Sequence, residues 1–163
     1  MTPAVVVRTT LEPGDLGAII GLHGVLYARE SGFDTTFEAY VAEPLGRCAA
    51  KHSPRERIWV ADCEHRVVGS IAIVEATPEL AQLRWFLVDP ATRGRGLGTA
   101  LVTQALTFAA ACAYGAVFLW TVSALGGAAR IYRAAGFDLI EQRPGRMWGV
   151  DVVEERYERK LGA

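Results

Sequence analysis

The sequence predicts a single α/β domain, a mixed sheet with helices on both faces, and three observations carry that reading. Strand-like and helix-like segments follow one another as strand, two helices, two hairpin strands, strand, helix, strand, helix, strands, which is not a strict βαβ array. With 163 residues, 51% hydrophobic and 21% charged, the chain suits one compact core. A chain of this length hides roughly 70% of its unfolded surface without help from metals or disulfides. The third observation is that residues 96–129 contain no charged side chain. A membrane span needs about 20 apolar residues, but Tyr114-Gly115 breaks the run and Thr99, Thr103, Gln104, Thr121 and Ser123 dilute it. It therefore reads as a buried helix followed by a central strand, and no membrane partner is expected.

Taken in order, residues 5–8 are strand-like, and the opening residues from Met1 lack the basic and apolar regions of a signal peptide. Pro13-Gly14-Asp15 forms a turn in which Asp15 is expected to cap a helix carrying Leu16, Ile19, Ile20, His23 and Leu26 on one face. His23 lies on that apolar face and reads as a satisfied core or boundary histidine. Residues 27–34 are polar and broken by Gly32, so they are expected to be a loop that could wall a substrate site. A second helix follows with Phe37, Tyr40, Val41 and Leu45. Residues 57–62 and 66–75, rich in Val, Ile and Trp, form a hairpin about Cys63-Glu64-His65, which makes His65 a turn residue.

A further strand over residues 82–88 stops at Asp89-Pro90, because proline lacks the ladder donor and restricts its predecessor. A helix is expected immediately after, with Leu97, Leu101, Ala105, Phe108 and Cys112 on one side. Residues 117–122 are β-branched and aromatic. A short helix with Ala128, Ile131, Tyr132 and Ala135 then closes at Gly136, and residues 137–141 and 148–161 supply two last strands.

Charge excludes a polyanion-coating protein, since the net charge is -1 with both signs mixed along the chain; no nucleic-acid partner is expected. Cys48, Cys63 and Cys112 are odd in number and fit no metal spacing, which favours reduced thiols, a cytoplasmic setting and no metal. Function is therefore to be sought in a surface cleft.

The segment with chemistry in it is Pro90-Ala91-Thr92-Arg93-Gly94-Arg95-Gly96-Leu97-Gly98-Thr99, which joins a strand to a helix. Glycines let backbone amides approach an anion, and the free N–H groups and dipole of a helix N-terminus favour phosphate there. The arginines add charge-assisted contacts, so a ligand bearing several phosphate charges fits better than a lone carboxylate. The spacing Gly94-x-Gly96-x-Gly98 is not the dinucleotide fingerprint, and no Walker lysine follows.

With these residues in view the chain resembles the GNAT superfamily of N-acetyltransferases. The acetyl-CoA motif R/Q-x-x-G-x-G/A after a strand ending in V-x-P is matched by Val88-Asp89-Pro90 with Arg93, Gly96 and Gly98. The later signature A-x-x-x-Y-x-x-x-G-F is matched by Ala128, Tyr132, Gly136 and Phe137. Gln82-Leu83-Arg84-Trp85-Phe86-Leu87-Val88 and Ala129-Arg130-Ile131-Tyr132 are similar in particular to acetyltransferase modules fused behind MarR-type regulators. No winged-helix segment precedes this copy, so a free-standing relative is expected.

The resemblance implies a mostly antiparallel sheet in which two splayed parallel strands hold acetyl-CoA. Main-chain groups at Phe86, Leu87 and Val88 would take the pantetheine arm and thioester, and Arg93, Gly94, Arg95, Gly96, Leu97, Gly98 and Thr99 the pyrophosphate, with Ala128 beside them. Tyr132 matches the family tyrosine that protonates the departing thiolate. Many relatives have asparagine seven positions before that tyrosine, where this chain has Leu125, so that side-chain bond to the cofactor is either absent or supplied by nearby Ser123. For the acceptor, an amine of a small molecule or peptide, Glu30, Trp85 and Trp120 are the candidate walls. Glu79 is the first candidate base, with Glu30, Asp89 and a water carrying the proton as alternatives. A homodimer is compatible with this reading, and a catalytically weak acyl-CoA-binding module is its rival.

Overall fold

In the computed structural model, which describes residues 3–162, the chain runs β1 (Val6–Arg8), α1 (Asp15–Ser31), α2 (Thr35–Lys51), β2 (Arg57–Cys63), β3 (Arg66–Thr77), β4 (Leu80–Val88), a short 3-10 turn (Pro90–Thr92), α3 (Leu97–Ala111), β5 (Ala116–Val122), α4 (Gly126–Ala134), β6 (Asp138–Met147) and β7 (Val150–Lys160). Met1 and Thr2, part of the opening segment, lie outside the described residues. The strands form one sheet in the order β1-β2-β3-β4-β5-β7-β6. Every pairing is antiparallel except β4 with β5.

The two sheet faces bury separate cores, which is why apolar residues alternate along the strands. On one face α3 inserts Leu101, Val102, Ala105 and Ala109 against Ile71, Ile73, Leu83, Val117 and Leu119, joined by Tyr132 of α4. On the other, Ile19 of α1 and Phe37, Val41 and Leu45 of α2 cover Ile58, Val60, Ala72, Trp85 and Val122. The uncharged stretch is accordingly split mainly between α3, which buries one face and exposes the other, and the mostly buried β5. Among the described residues no helix is long and apolar enough to cross a membrane.

Three local expectations are corrected. Asp15 is the first helical residue and not the cap. Gly14 occupies the cap with φ 95°, and the Asp15 carboxylate instead accepts from Arg8 at 2.6 and 2.9 Å and from the Glu12 amide at 2.6 Å. Residues 27–31 are helical: α1 continues until Gly32 (φ 72°) turns it, donating to the Ala28 carbonyl, so only three residues connect the helices. And α3 does not start at Pro90. The 3-10 turn and four residues of glycine-rich loop intervene before Leu97.

Candidate active site

Parallel pairing of β4 with β5 stops early. The register Leu80↔Ala116, Ala81↔Val117, Gln82↔Phe118 is not continued, so residues 83–88 leave main-chain groups facing β5 with no strand to bond. Buried or half-buried backbone groups of this kind need a partner, and an extended ligand can supply one by adding itself as a strand. β4 also bulges here. Ser70 pairs with Leu87 but Ala72 with Arg84, and Trp85 sits at φ 49°, held by a 2.7 Å hydrogen bond from the Ser70 hydroxyl to its carbonyl. A non-glycine residue in that conformation stores strain, and such strain concentrates at sites that must aim a particular group.

Beyond the bulge the glycine loop leads into α3. Gly94 (φ 80°) and Gly96 (φ 78°) both occupy the left-handed region that side chains resist. Gly96 caps α3 with no side-chain hydrogen bond, and the first helical bond is Ala100 N–H to the Gly96 carbonyl. The amides of Leu97, Gly98 and Thr99 are thus left without helical acceptors. Gly98 is needed for a different reason: a Cβ there would lie 2.9 Å from Ile131 Cδ1 and 3.3 Å from Phe86 Cζ, so glycine lets α3 close on α4 and β4.

A cleft of about 600 Å³ joins these features, lined by Phe86, Leu87, Val88, Arg93, Gly94, Gly96, Leu97, Gly98 and Thr99 on one side. Ala124, Leu125, Gly126, Gly127, Ala128 and Arg130 face them, and Tyr27 and Glu30 close one end. Arg93 reaches across it: its Nε donates to the Val88 carbonyl at 3.1 Å and its Nη2 to Glu30 at 2.9 Å. A free helix N-terminus, unpaired strand edge and cationic rim in one cleft fit a phosphate-bearing ligand with an extended arm.

A second cavity, of about 100 Å³, lies on the α1/α2 side of the splay and shares Tyr27, Phe86 and Leu125 with the first. Its walls are aromatic: Tyr27, Phe33, Phe37, Tyr40, Trp85, Trp120, Tyr132 and Trp148, with Arg84, Glu154 and His23 among them. Phe33, Phe37 and Trp148 pack with ring centroids 4.8 to 5.0 Å apart. Burial, then the neighbouring Tyr27 and Tyr157, holds the Tyr132 hydroxyl far above the usual phenol range, so it is a proton donor at neutral pH. Burial likewise pushes Tyr27 up to about 12. His23 is held down to about 4 by burial. It is therefore neutral, and with Nδ1 2.8 Å from the Ile19 carbonyl the proton sits there.

The structure brings most of the expected residues together but not all. Eleven line the large cleft, Glu30 among them, where it pairs with Arg93. Trp85, Trp120 and Tyr132 line the aromatic cavity, Tyr132 with its ring 5.7 Å from that of Phe86. Arg95 is exposed on the loop, its one weak bond going to the Ala91 carbonyl at 3.5 Å. Ser123 lies outside the large cleft: its amide donates to the Val153 carbonyl, and it lines a neighbouring open groove with Phe33 and Val122. Glu79 is at the wrong end of β4, in the turn before it, where its carbonyl accepts from Gly115 and the two parallel strands are still paired. Asp89 caps the 3-10 turn through Ala91 and meets Arg66 at 3.7 Å. Tyr27 and Phe33 belong to the stretch expected to wall a substrate site, and both line the aromatic cavity; Arg84, Trp148 and Glu154 carry no such signal in the sequence.

A family model for the acetyltransferase (GNAT) family matches residues 25–137, the stretch from the end of α1 to the end of α4. The chain belongs to the GNAT family. Among its relatives, an uncharacterized N-acetyltransferase of Schizosaccharomyces pombe is 30% identical over 118 residues, 71% of this chain and 72% of that protein. The N-acetylaspartate synthetase of Danio rerio is 33% identical over 101 residues, 61% of this chain; the match spans 33% of that longer protein. Spermidine N-acetyltransferase from Vibrio cholerae, solved in complex with CoA and spermine, superposes with a TM-score of 0.73 over 96% of this chain and 95% of its own at 18% identity, a likeness of GNAT fold.

Proposed function

We propose that this GNAT protein transfers an acetyl group from acetyl-CoA to the amine of a small acceptor. The observation that carries the reading is the meeting of the two cavities at Tyr27, Phe86 and Leu125, one suited to a phosphorylated cofactor and the other to a small organic molecule. When bound, acetyl-CoA supplies an activated acyl carbon: the C–N bond forms as the C–S bond breaks, the ammonium gives up two protons, and the thiolate takes one back.

The protein's part is positioning and proton supply. The unpaired amides at the start of α3 and Arg93 hold the phosphates, which requires Arg93 to exchange some of its grip on Glu30 for the ligand. Unpaired main-chain groups at Phe86, Leu87 and Val88 hold the arm and fix the thioester at the cavity junction, where orientation alone lowers the barrier. Tyr132, protonated at neutral pH and beside Phe86, is placed to donate a proton to the sulfur. Glu154 in the aromatic cavity takes over the place expected of Glu79, as a carboxylate beside the acceptor amine. Kinship with the modules fused to MarR-type regulators, a cytoplasmic setting and a homodimer belong to the same reading.

The test pairs calorimetric titration of acetyl-CoA with thiol release across an amine panel. Binding together with amine-dependent thiol release is expected. Binding without release from any amine would leave an acyl-CoA-binding module, and absence of binding would end the reading.

A further inference from the structure

The aromatic cavity contains two half-buried charges that find no ion pair among the described residues. Arg8, Arg55, Arg93 and Arg156 each hold a carboxylate. Arg84 instead rests on aromatic faces, its guanidinium 4.9 Å from the Trp85 ring centroid and 5.7 Å from that of Tyr40, and it forms no ion pair among the described residues. Glu154 is the counterpart. Arg143 stands opposite it across β6 and β7, yet Arg143 pairs with Glu141 and covers Trp120, and Arg156 pairs with Glu158. Beside Arg84 a third group is left over: the Trp85 indole Nε1–H, in a residue 8% exposed, has no acceptor.

We infer that the acceptor is a free amino acid with an apolar or aromatic side chain, its carboxylate held by Arg84 and its ammonium drawn to Glu154. The inference rests on the acetyltransferase reading above. A guanidinium presents a planar fork of donors that matches a carboxylate in pairs, and the orphan indole N–H lies on the same strand. An amine without a carboxylate would leave Arg84 desolvated and unpaired, which costs more than leaving it in water. Tyr27, Phe33, Phe37 and Trp148 supply flat apolar walls for the side chain. The cavity of about 100 Å³ is small beside the roughly 300–1,000 Å³ of pockets for drug-sized ligands, and the free α-carboxylate that Arg84 calls for favours an amino acid over a peptide. The amino group then lies between Glu154 and the junction at Phe86 where the thioester is presented.

The test uses the whole protein with saturating acetyl-CoA and the matched set leucine, leucinamide and isoamylamine, repeated with phenylalanine, its amide and phenethylamine. The expected result is a kcat/KM at least about tenfold higher for the amino acid than for its amide or amine, although the less basic amide is chemically favoured. Arg84→Gln, checked for folding by circular dichroism, should collapse the acid-to-amide ratio toward one. As a readout independent of turnover, N-acetylleucine should bind the CoA-loaded protein and lose at least about tenfold in affinity with Arg84→Gln, by calorimetry. An amide or amine acetylated as well as the acid overturns the inference and leaves the acetyltransferase reading standing; so does a ratio or product affinity that survives Arg84→Gln. Absence of acetyl-CoA binding to the parent protein sinks that reading, and this inference with it.

Discussion

The two cavities that meet at Phe86 are made of different material. The cofactor cleft is walled largely by backbone: a strand edge without a partner, a glycine loop with two left-handed residues, and a helix N-terminus whose amides are free. The aromatic cavity is walled by side chains, half of them Phe, Tyr or Trp, drawn from α1, α2, β4, β5, α4, β7 and the Phe33 and Trp148 turns. A backbone-walled site recognises what every user of the cofactor shares and tolerates little change in its glycines. A side-chain-walled site can be re-lined without disturbing the sheet, so it is where one acetyltransferase differs from another.

That contrast breaks most visibly at Gly96. Gly96→Asp puts a side chain at φ 78° and a carboxylate against the phosphates, so acetyl-CoA affinity should fall by a factor of about a thousand or more by calorimetry. Gly96→Ala, which carries only the backbone strain, should lose much less; equal losses in the two variants would show that charge at the cradle is irrelevant. Tyr132 sits on the boundary between the two regions. Tyr132→Phe removes only the hydroxyl, and single-turnover mixing should show roughly a tenfold to thousandfold slower acetyl transfer with little change in acetyl-CoA affinity. Transfer at the parental rate would make Tyr132 a packing residue.

His23 tests how dry the acceptor side is. Its folded pKa of about 4 lies below the ordinary 6.5, so the unfolded chain binds the extra proton first. The stability this contributes is whole above pH 6.5 and is lost as pH falls toward 4, by about 3 kcal/mol in all. Asp15, whose carboxyl is held down mainly by the Arg8 hydrogen bond, is lost only below the ordinary carboxylate range, so the windows separate. Thermal denaturation between pH 7 and 4 should fall steeply for the parent and less for His23→Leu. Parallel curves would mean that water already reaches the ring. The smallest effect belongs to Tyr40, 46% exposed at the cavity rim: Tyr40→Ala should raise the acceptor KM about threefold to tenfold and leave acetyl-CoA affinity alone.

Legibility in the sequence followed the same division. The glycine loop and the strand ending at Val88-Asp89-Pro90 were readable because backbone geometry leaves its mark on neighbouring positions, and the Ala128-to-Phe137 signature through its resemblance to the GNAT motif. Ser123, two residues before Leu125, lines a neighbouring groove and not the large cleft. Glu79 stands at the paired end of β4, away from the splay, a placement that residue type alone does not carry. Glu30 was found at the site but in another office, tied to Arg93.

The sequence by itself determined the order of elements, the two-sided burial, the split of the uncharged run into helix and strand, and the phosphate-ready junction before α3. Each of these is a local matter, set by periodicity over a few residues, by proline's missing donor or by glycine's access to positive φ. Only the tertiary structure decided that the splay of β4 from β5 begins after Gln82, that Trp85 turns to positive φ, and that Arg84 and Glu154, seventy residues apart in the chain, share one aromatic cavity without ion-pair partners among the described residues. Pairing between distant strands, and the charges it leaves unmatched, depend on which segments come to lie side by side, and no short stretch of sequence carries that information.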